Sequence, residues 1–167
     1  MRWRWYYRIL ALFSPLALFV LRCIVNPLLR NKRVRVVLLH PDGRVLLVIN
    51  ALGDRHWTLP GGGVGRHEDL VDAAIRELHE ELKINLSAHA LMQLGEVRVR
   101  GYQAPLFVAQ LSRSQVAQIL PDKFEIYAAQ WYDVHHIPSG AQSVVRSALE
   151  LLSRHEGVGK IGGVTLS

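Results

Sequence analysis

Residues 61–84 read GGGVGRHEDLVDAAIRELHEELKI, a glycine-rich run followed by a helical pattern. It opens with four glycines in five positions, a composition that lets backbone pass close to a ligand. From Asp69 to Lys83 apolar residues return at spacings of three and four, which predicts a helix with one apolar face. That face consists of Val71, Ala74, Ile75, Leu78 and Leu82. Because free N–H groups at a helix N-terminus favour anions, the junction of loop and helix is a candidate phosphate site.

Three glutamates share one short part of this helix: Glu77, Glu80 and Glu81. On a helical wheel they cover roughly 100° of arc. Taken alone, such a cluster is typical of a solvated helix face. Glu77 and Glu81, however, are like charges four residues apart, an arrangement that destabilises an isolated helix slightly. Folding does not require this pair of like charges. A divalent cation would relieve their repulsion, since Mg²⁺ prefers carboxylate oxygens together with water and phosphate.

Two further charged residues flank the cluster. Arg76 lies four residues before Glu80, so its guanidinium can orient that carboxylate. Glu68 lies just before the helix, where the helix dipole favours a negative charge. Carboxylates suited to a metal and glycine backbone suited to phosphate therefore meet at one place, and cleavage of a diphosphate requires that combination.

The spacing of these residues resembles the Nudix box, G-x5-E-x7-R-E-U-x-E-E-x-G-U, in which U is an apolar residue. Gly62, Glu68 and residues 76–84 match every defined position except one. Lys83 stands where the family has a glycine that ends the helix in a left-handed conformation. A lysine there costs on the order of 1 kcal/mol, unless the helix end is remodelled with Asn85.

The resemblance covers residues 34–138 and implies an α/β fold, a Nudix-like α/β/α sandwich with a mixed β-sheet. Apolar runs and turn residues predict matching elements: strands at 34–39, 45–49, 91–99, 104–111 and 128–133, and a last helix from a cap at Ser139 to Arg154. We expect a catalytic domain over residues 34–156, an N-terminal apolar helical segment over 1–33 and a flexible tail over 157–167.

The resemblance also implies an activity, the Mg²⁺-dependent hydrolysis of a diphosphate linkage in a nucleoside diphosphate derivative, with Mn²⁺ as an alternative metal. Carried over by position, the metal ligands are Glu77 and Glu81. Glu80 is a third ligand or a close neighbour of the ligands, and the Gly61 carbonyl is a further ligand.

Other roles follow from the same resemblance. Candidate general bases are Glu80 and Glu77. Glu125 is a third candidate, because some family members use a glutamate from a later loop. Arg76 is expected to orient carboxylates. The backbone of Gly61, Gly62 and Gly63 is expected to bind the substrate.

The charge of the chain is unevenly distributed. The formal net charge is +6, yet residues 1–41 carry eight Arg and Lys and no acid, whereas residues 42–167 carry twelve bases and fourteen acids. A nucleic-acid-binding domain would have a basic face on its folded body, so we expect a small nucleotide-like partner and no nucleic acid. The single cysteine, Cys23, excludes a disulfide within the chain and a cysteine-based metal site.

Residues 1–33 allow three interpretations. As a transmembrane helix, their uninterrupted apolar stretch of 13 residues is shorter than the ~20 that a bilayer needs. As a helix in the membrane surface, Arg4, Arg8, Arg22, Asn26 and Arg33 fall within about 40° of one another on a helical wheel. The third interpretation is a helix docked on protein. The positive-inside tendency would place the catalytic body in the cytoplasm, at the inner face of a membrane.

Two alternative functions remain open at this point. One is a membrane-tethered Nudix module that senses a nucleotide without turnover, although a pure binder has no need of three clustered carboxylates. The other is a hydrolase of lipid-linked diphosphates, which the apolar N-terminus motivates. A homodimer is expected because members of the family are often dimers.

Overall fold

The computed structural model describes residues 32–99 and 101–156. Its regular elements are five strands, three α-helices and a short 3₁₀ turn at Ala88–Ala90. In chain order they are β1 (Arg35–Leu39), β2 (Val45–Asn50), α1 (Leu70–Leu82), β3 (Met92–Val99), β4 (Tyr102–Gln110), α2 (Arg113–Gln118), β5 (Ile126–Tyr132) and α3 (Ser143–Glu156).

The five strands form one mixed sheet in the order β3-β4-β1-β2-β5. β1 pairs in parallel with β4, and the other three pairings are antiparallel. The turn between β1 and β2 contains Gly43 at a φ of 90°, and the His40 and Arg44 backbones close it with a hydrogen bond of 2.8 Å. The mixed sheet confirms the sequence prediction.

Each face of the sheet carries its own apolar core. Val34, Val36 and Leu38 lie in the cluster that packs against α1, whereas Val37 and Leu39 lie in the cluster that packs against α3. This alternation along β1 follows from the period of two in a strand. The strand is therefore covered on both faces, and the predicted α/β/α sandwich is confirmed.

Residues 58–61 form an irregular segment held by both strands of the first hairpin. Thr58 and Val48 exchange two backbone hydrogen bonds of 2.9 Å on the β2 side. On the β1 side, the Val36 N–H donates to the Pro60 carbonyl at 3.0 Å. Because the segment is fixed along both edges, it delivers the glycines that follow to a defined position beside α1.

Two details of the helices differ from the sequence prediction. The last helix begins at Ser143, so Ser139 does not cap it. The short helix α2 was not predicted, although its signal was present. Ser112 and Gln115 form a capping box, in which each side chain bonds the backbone N–H of the other.

Lys83 ends α1 in the left-handed conformation that the family glycine would take, with φ 58° and ψ 20°. Its N–H donates to the His79 carbonyl at 3.0 Å. Its ammonium donates to the Glu80 carbonyl at 2.9 Å and pairs with Asp122 at 2.8 Å. These contacts offset the strain, and the helix end is not remodelled around Asn85.

The predicted apolar helix of residues 1–33 lies outside the described residues apart from its last two, as does the predicted tail at 157–167. Lys32 and Arg33 form isolated bridges to Gln103 and Gly63. Within the described ranges, no helix combines the length and apolar character that crossing a membrane requires.

Substitutions at position 83 test this helix end. Lys83→Ala and Lys83→Gly remove the same side-chain contacts, but only glycine relieves the left-handed strain. We expect the glycine variant to exceed the alanine variant in free energy of unfolding by about 1 kcal/mol, measured by urea denaturation. Equal stability of the two variants would show that position 83 is not left-handed in solution.

Candidate metal and diphosphate site

The site lies where the segment of residues 58–61 meets the glutamates of α1. The Gly61 N–H donates to the Glu81 carboxylate at 2.7 Å. Gly61 has a φ of 123°, and a Cβ there would collide with the Val34 carbonyl. A Cβ on Gly62 would collide with the Glu77 carboxylate. Glycine is therefore favoured at Gly61 by its positive φ and the backbone of β1, and at Gly62 by the Glu77 carboxylate.

Glu81 is only 6% exposed. Burial, followed by the nearby negative charge of Glu77, raises the pKa of Glu81 to about 8, against opposing effects of the Gly61 N–H and the Arg35 charge. The pKa of Glu77 is also raised, chiefly by burial, although the Arg76 guanidinium opposes this. Two neighbouring carboxylates thus share an environment that disfavours their ionised forms.

Arg76 connects the glutamates to the glycine loop. Its guanidinium donates to Glu77 at 2.7 Å, to Glu80 at 3.0 Å and to the Gly63 carbonyl at 2.9 Å. It also forms a two-point contact with Glu68 at 2.7 and 3.0 Å. These contacts raise the pKa of Arg76, with Glu68 as the largest cause. Its arrangement is that of a residue that orients carboxylates.

Glu68 closes the junction between the loop and the helix. Its carboxylate accepts from the Gly65 N–H at 2.6 Å while it binds Arg76. Asp69 caps α1, because its side chain accepts from the Val71 N–H at 2.8 Å. The start of the helix is therefore fixed from both sides of the junction.

Glu125 approaches the same cluster from another part of the chain. The segment before it is tied to the end of α1, because the Asp122 N–H donates to the Glu81 carbonyl at 2.8 Å. Glu125 is half-buried, and its pKa is raised by burial and then by the negative charges of Glu80 and Glu77. The structure therefore brings all four predicted glutamates into one electrostatic neighbourhood.

The donor set fits a hard divalent cation in charge and chemistry, because such a cation prefers carboxylate oxygens and would offset the burial that disfavours the ionised forms of Glu77 and Glu81. The ligands do not form a ready cage. Among the described residues, no three His, Cys, Asp or Glu side chains are grouped closely enough to hold a metal ion. Arg76 holds Glu77 and Glu80, so metal binding would require these carboxylates to turn.

Two arginines near the site, Arg35 and Arg33, were not among the predicted site residues. Arg35 is 3% exposed, and its guanidinium donates to the Gly61 carbonyl, the predicted further ligand. Its only sequence signal was a lone charge inside the apolar run of β1. Arg33 is half-buried, and its guanidinium lies 5.4 Å from the centre of the Tyr102 ring.

The fold and the box residues match one family. The sequence model for the NUDIX domain matches residues 29–152, and the chain belongs to the Nudix family. The predicted family is confirmed.

Similar proteins agree with this assignment. An RNA pyrophosphohydrolase of Caulobacter vibrioides is 53% identical over a stretch covering 29% of this chain and 29% of that protein. An RNA pyrophosphohydrolase of Hahella chejuensis is 24% identical over 70% of this chain and 86% of its own length. The crystal structure of a MutT NUDIX hydrolase from Burkholderia pseudomallei has a TM-score of 0.63 and 25% identity, and the match covers 72% of this chain and 96% of that one. The predicted enzyme class agrees with these names.

The raised pKa of Glu81 predicts a pH-dependent stability in the absence of metal. Between the ordinary pKa of 4.5 and about 8, the folded state holds a proton that the unfolded state releases, so stability falls as pH rises. Glu81→Gln removes this loss. Both proteins are measured in EDTA. We expect the Tm of Glu81→Gln minus the Tm of wild type to increase by ~5 °C or more from pH 5 to pH 8.

The matched control is Glu150→Gln, on the exposed face of α3. Its Tm should follow that of wild type at every pH. A Tm difference between Glu81→Gln and wild type that does not change with pH would contradict the raised pKa. Added Mg²⁺ should raise the Tm of wild type at pH 8 and not that of Glu81→Gln.

Proposed function

We propose that this protein is an Mg²⁺-dependent pyrophosphohydrolase that cleaves a diphosphate linkage in a nucleoside diphosphate derivative. Water attacks one phosphorus, the bond from that phosphorus to the bridging oxygen breaks, and the products are a nucleoside monophosphate and a phosphorylated remainder. Membership of the Nudix family and the pyrophosphohydrolase names of similar proteins support this class of reaction.

One observation carries the proposal. Glu77 and Glu81 are buried side by side against the backbone of Gly61 and Gly62. Nothing in the folding of an amphipathic helix requires two acids at its buried edge, and each raises the free energy of the metal-free fold when it ionises. A cation-dependent function explains why they stand there.

The residues that would hold the metal are Glu77 and Glu81, with Glu80 and the Gly61 carbonyl as further oxygen donors. When bound, the cation neutralises the charge of the diphosphate and lowers the pKa of water. Mg²⁺ is the proposed metal and Mn²⁺ an alternative, because both accept carboxylate oxygens.

The other residues bind and orient. The backbone of Gly61, Gly62 and Gly63 leads to the N-terminus of α1, where helix N–H groups and the helix dipole favour a phosphate. Arg76 keeps Glu77 and Glu80 in place. A glutamate accepts the proton of the attacking water, and Glu125 is our first candidate, because it approaches the cluster from another part of the chain and is not one of the proposed metal ligands. Burial also raises its pKa, which makes it a stronger base than an ordinary carboxylate.

The proposed substrate is a small nucleotide, because residues 42–167 carry fourteen acids against twelve bases. A second candidate is the 5′-triphosphate end of RNA, which is favoured by the names of the relatives from Caulobacter and Hahella. Both substrates present the same phosphate chemistry to the glutamates. The RNA substrate differs from the small nucleotide because its polynucleotide must lie along the surface of the protein.

The proposal extends to location and assembly. Residues 1–33 would associate with a membrane and hold the catalytic domain, residues 34–156, at its cytoplasmic face. This part rests on the apolar and basic pattern of the sequence. A homodimer is proposed because members of the family are often dimers. Flotation with vesicles and light scattering of the full chain test the two statements.

Turnover of a substrate panel tests the activity. The panel contains dNTPs, ADP-ribose, dinucleoside polyphosphates, NADH, a 5′-triphosphate RNA and an isoprenoid diphosphate, each with and without Mg²⁺. We expect Mg²⁺-dependent release of phosphorylated product from at least one nucleotide. Glu81→Gln should lower kcat by about 100-fold or more, since even residues that only support metal ligands reach that size of effect.

Glu150→Gln is again the control and should keep the wild-type rate. Cleavage of the isoprenoid diphosphate alone would replace the nucleotide with a lipid-linked substrate. Nucleotide binding without turnover, equal in wild type and Glu81→Gln, would contradict the enzyme and favour the tethered sensor.

The base assignment is tested by pH–rate profiles of Glu125→Gln and Glu80→Gln. A base must be ionised, so wild-type kcat should rise through a pKa above the ordinary 4.5 of a glutamate. Glu125→Gln should lower kcat by about 10²–10⁴-fold and abolish this acidic limb. If Glu80→Gln abolishes the limb while Glu125→Gln retains it, the base is Glu80.

A further inference from the structure

Among the described residues, Arg35 is the buried basic side chain. It lies on β1 between Val34 and Val36, which both pack toward α1. Because side chains alternate along a strand, the Arg35 side chain starts on the other face of the sheet, the face that α3 covers. A buried guanidinium is costly unless its donors are satisfied. Arg35 Nε has no hydrogen-bond partner among the described residues, so the partners of Nη1 indicate the purpose of this side chain.

Those partners are the carbonyls of the irregular segment. Arg35 Nη1 donates to the Leu59 carbonyl at 3.0 Å and also to the Gly61 carbonyl. The intervening Pro60 carbonyl accepts from the Val36 N–H at 3.0 Å. Three successive carbonyls are therefore held by two consecutive residues of β1.

The opposite side of the same segment faces the glutamates. The Gly61 N–H donates to Glu81, and the Gly62 backbone lies against the Glu77 carboxylate. The segment thus separates a buried cation from two buried carboxylates. Burial raises the pKa of both acids, and the positive charge of Arg35 opposes this effect, which agrees with its placement.

We propose that Arg35 is the positioning residue of the metal site: it fixes the backbone of residues 59–61 from behind, so that the Gly61 N–H is aimed at the Glu81 carboxylate. The inference rests on the proposed function for its metal, and on hydrogen bonds of the metal-free protein for its geometry. Arg35 does not touch the substrate.

Arginine suits this role better than lysine. Both bonds come from Nη1, whose two N–H groups have fixed directions in the guanidinium plane, whereas an ammonium on a flexible stem does not impose that geometry. The Gly61 carbonyl has two acceptor directions, of which Arg35 occupies one.

The test compares Arg35→Lys and Arg35→Met with wild type. Arg44→Lys is the matched control, because Arg44 is an exposed arginine whose ion pair with Asp42 lies in the hairpin turn. Three quantities are measured on the full chain: amide hydrogen exchange at Gly61 in EDTA, Mn²⁺ affinity by titration, and kcat and KM on the substrate found in the panel.

We expect Arg35→Lys to speed exchange of the Gly61 amide by at least tenfold, while the Val37 amide of the same strand exchanges as in wild type. Mn²⁺ affinity should fall by about 10- to 100-fold, the size of effect seen when residues that support metal ligands are removed. kcat should fall with little change in KM. Arg35→Met should show the same pattern more strongly, and Arg44→Lys none of it.

Wild-type Gly61 exchange and Mn²⁺ affinity in Arg35→Lys would overturn the proposal. Uniformly faster exchange at Gly61 and Val37 would also overturn it, since that result marks a merely structural residue. If Arg35→Met does not fold, Arg35→Lys carries the test. Absence of Mn²⁺ binding by wild type would contradict the proposed function, while Gly61 exchange would still decide the role of Arg35.

Discussion

A carboxylate that is removed from water must be compensated by hydrogen bonds or by a positive charge. Glu81 has one backbone N–H, and Glu77 shares the Arg76 guanidinium with two other acids. This incomplete compensation is the constraint on which the site depends. It raises the pKa of both glutamates, and it is the reason that we propose a divalent cation here. The Gly62 backbone lies so close to the Glu77 carboxylate that a Cβ would collide with it.

β1 and β2 pair with each other near their turn. Farther along, residues 58–61 form backbone hydrogen bonds to both strands. This loop backbone is therefore held in place like a strand, because β1 and β2 both form hydrogen bonds to it. On the other side, Asp122 and Lys83 tie the end of α1 to the segment that carries Glu125. Candidate catalytic groups distant in sequence are placed by backbone hydrogen bonds rather than by side-chain packing alone.

The sequence predicted what depends on spacing. Glu77, Glu80 and Glu81 could be placed on one helix face because helix periodicity is regular, and the Nudix box supplied the glycine loop. Arg35 could not be assigned a role, since its partners are carbonyls 24 and 26 residues away, and carbonyls carry no sequence signal. For Lys83, the sequence pattern located the end of the helix. Its ion pair with Asp122 could be identified only from the structure.

The exposed loop of residues 52–56 has both of its ends anchored, at Ala51 by the Glu125 carbonyl and at Thr58 by Val48. Its closure entropy rises only slowly with length, so insertions there change stability little. The loop adjoins the Glu125 side of the site, yet no residue in it supports the glutamates of α1. Changes in the length or sequence of this loop are therefore expected to leave the arrangement of the α1 glutamates unchanged.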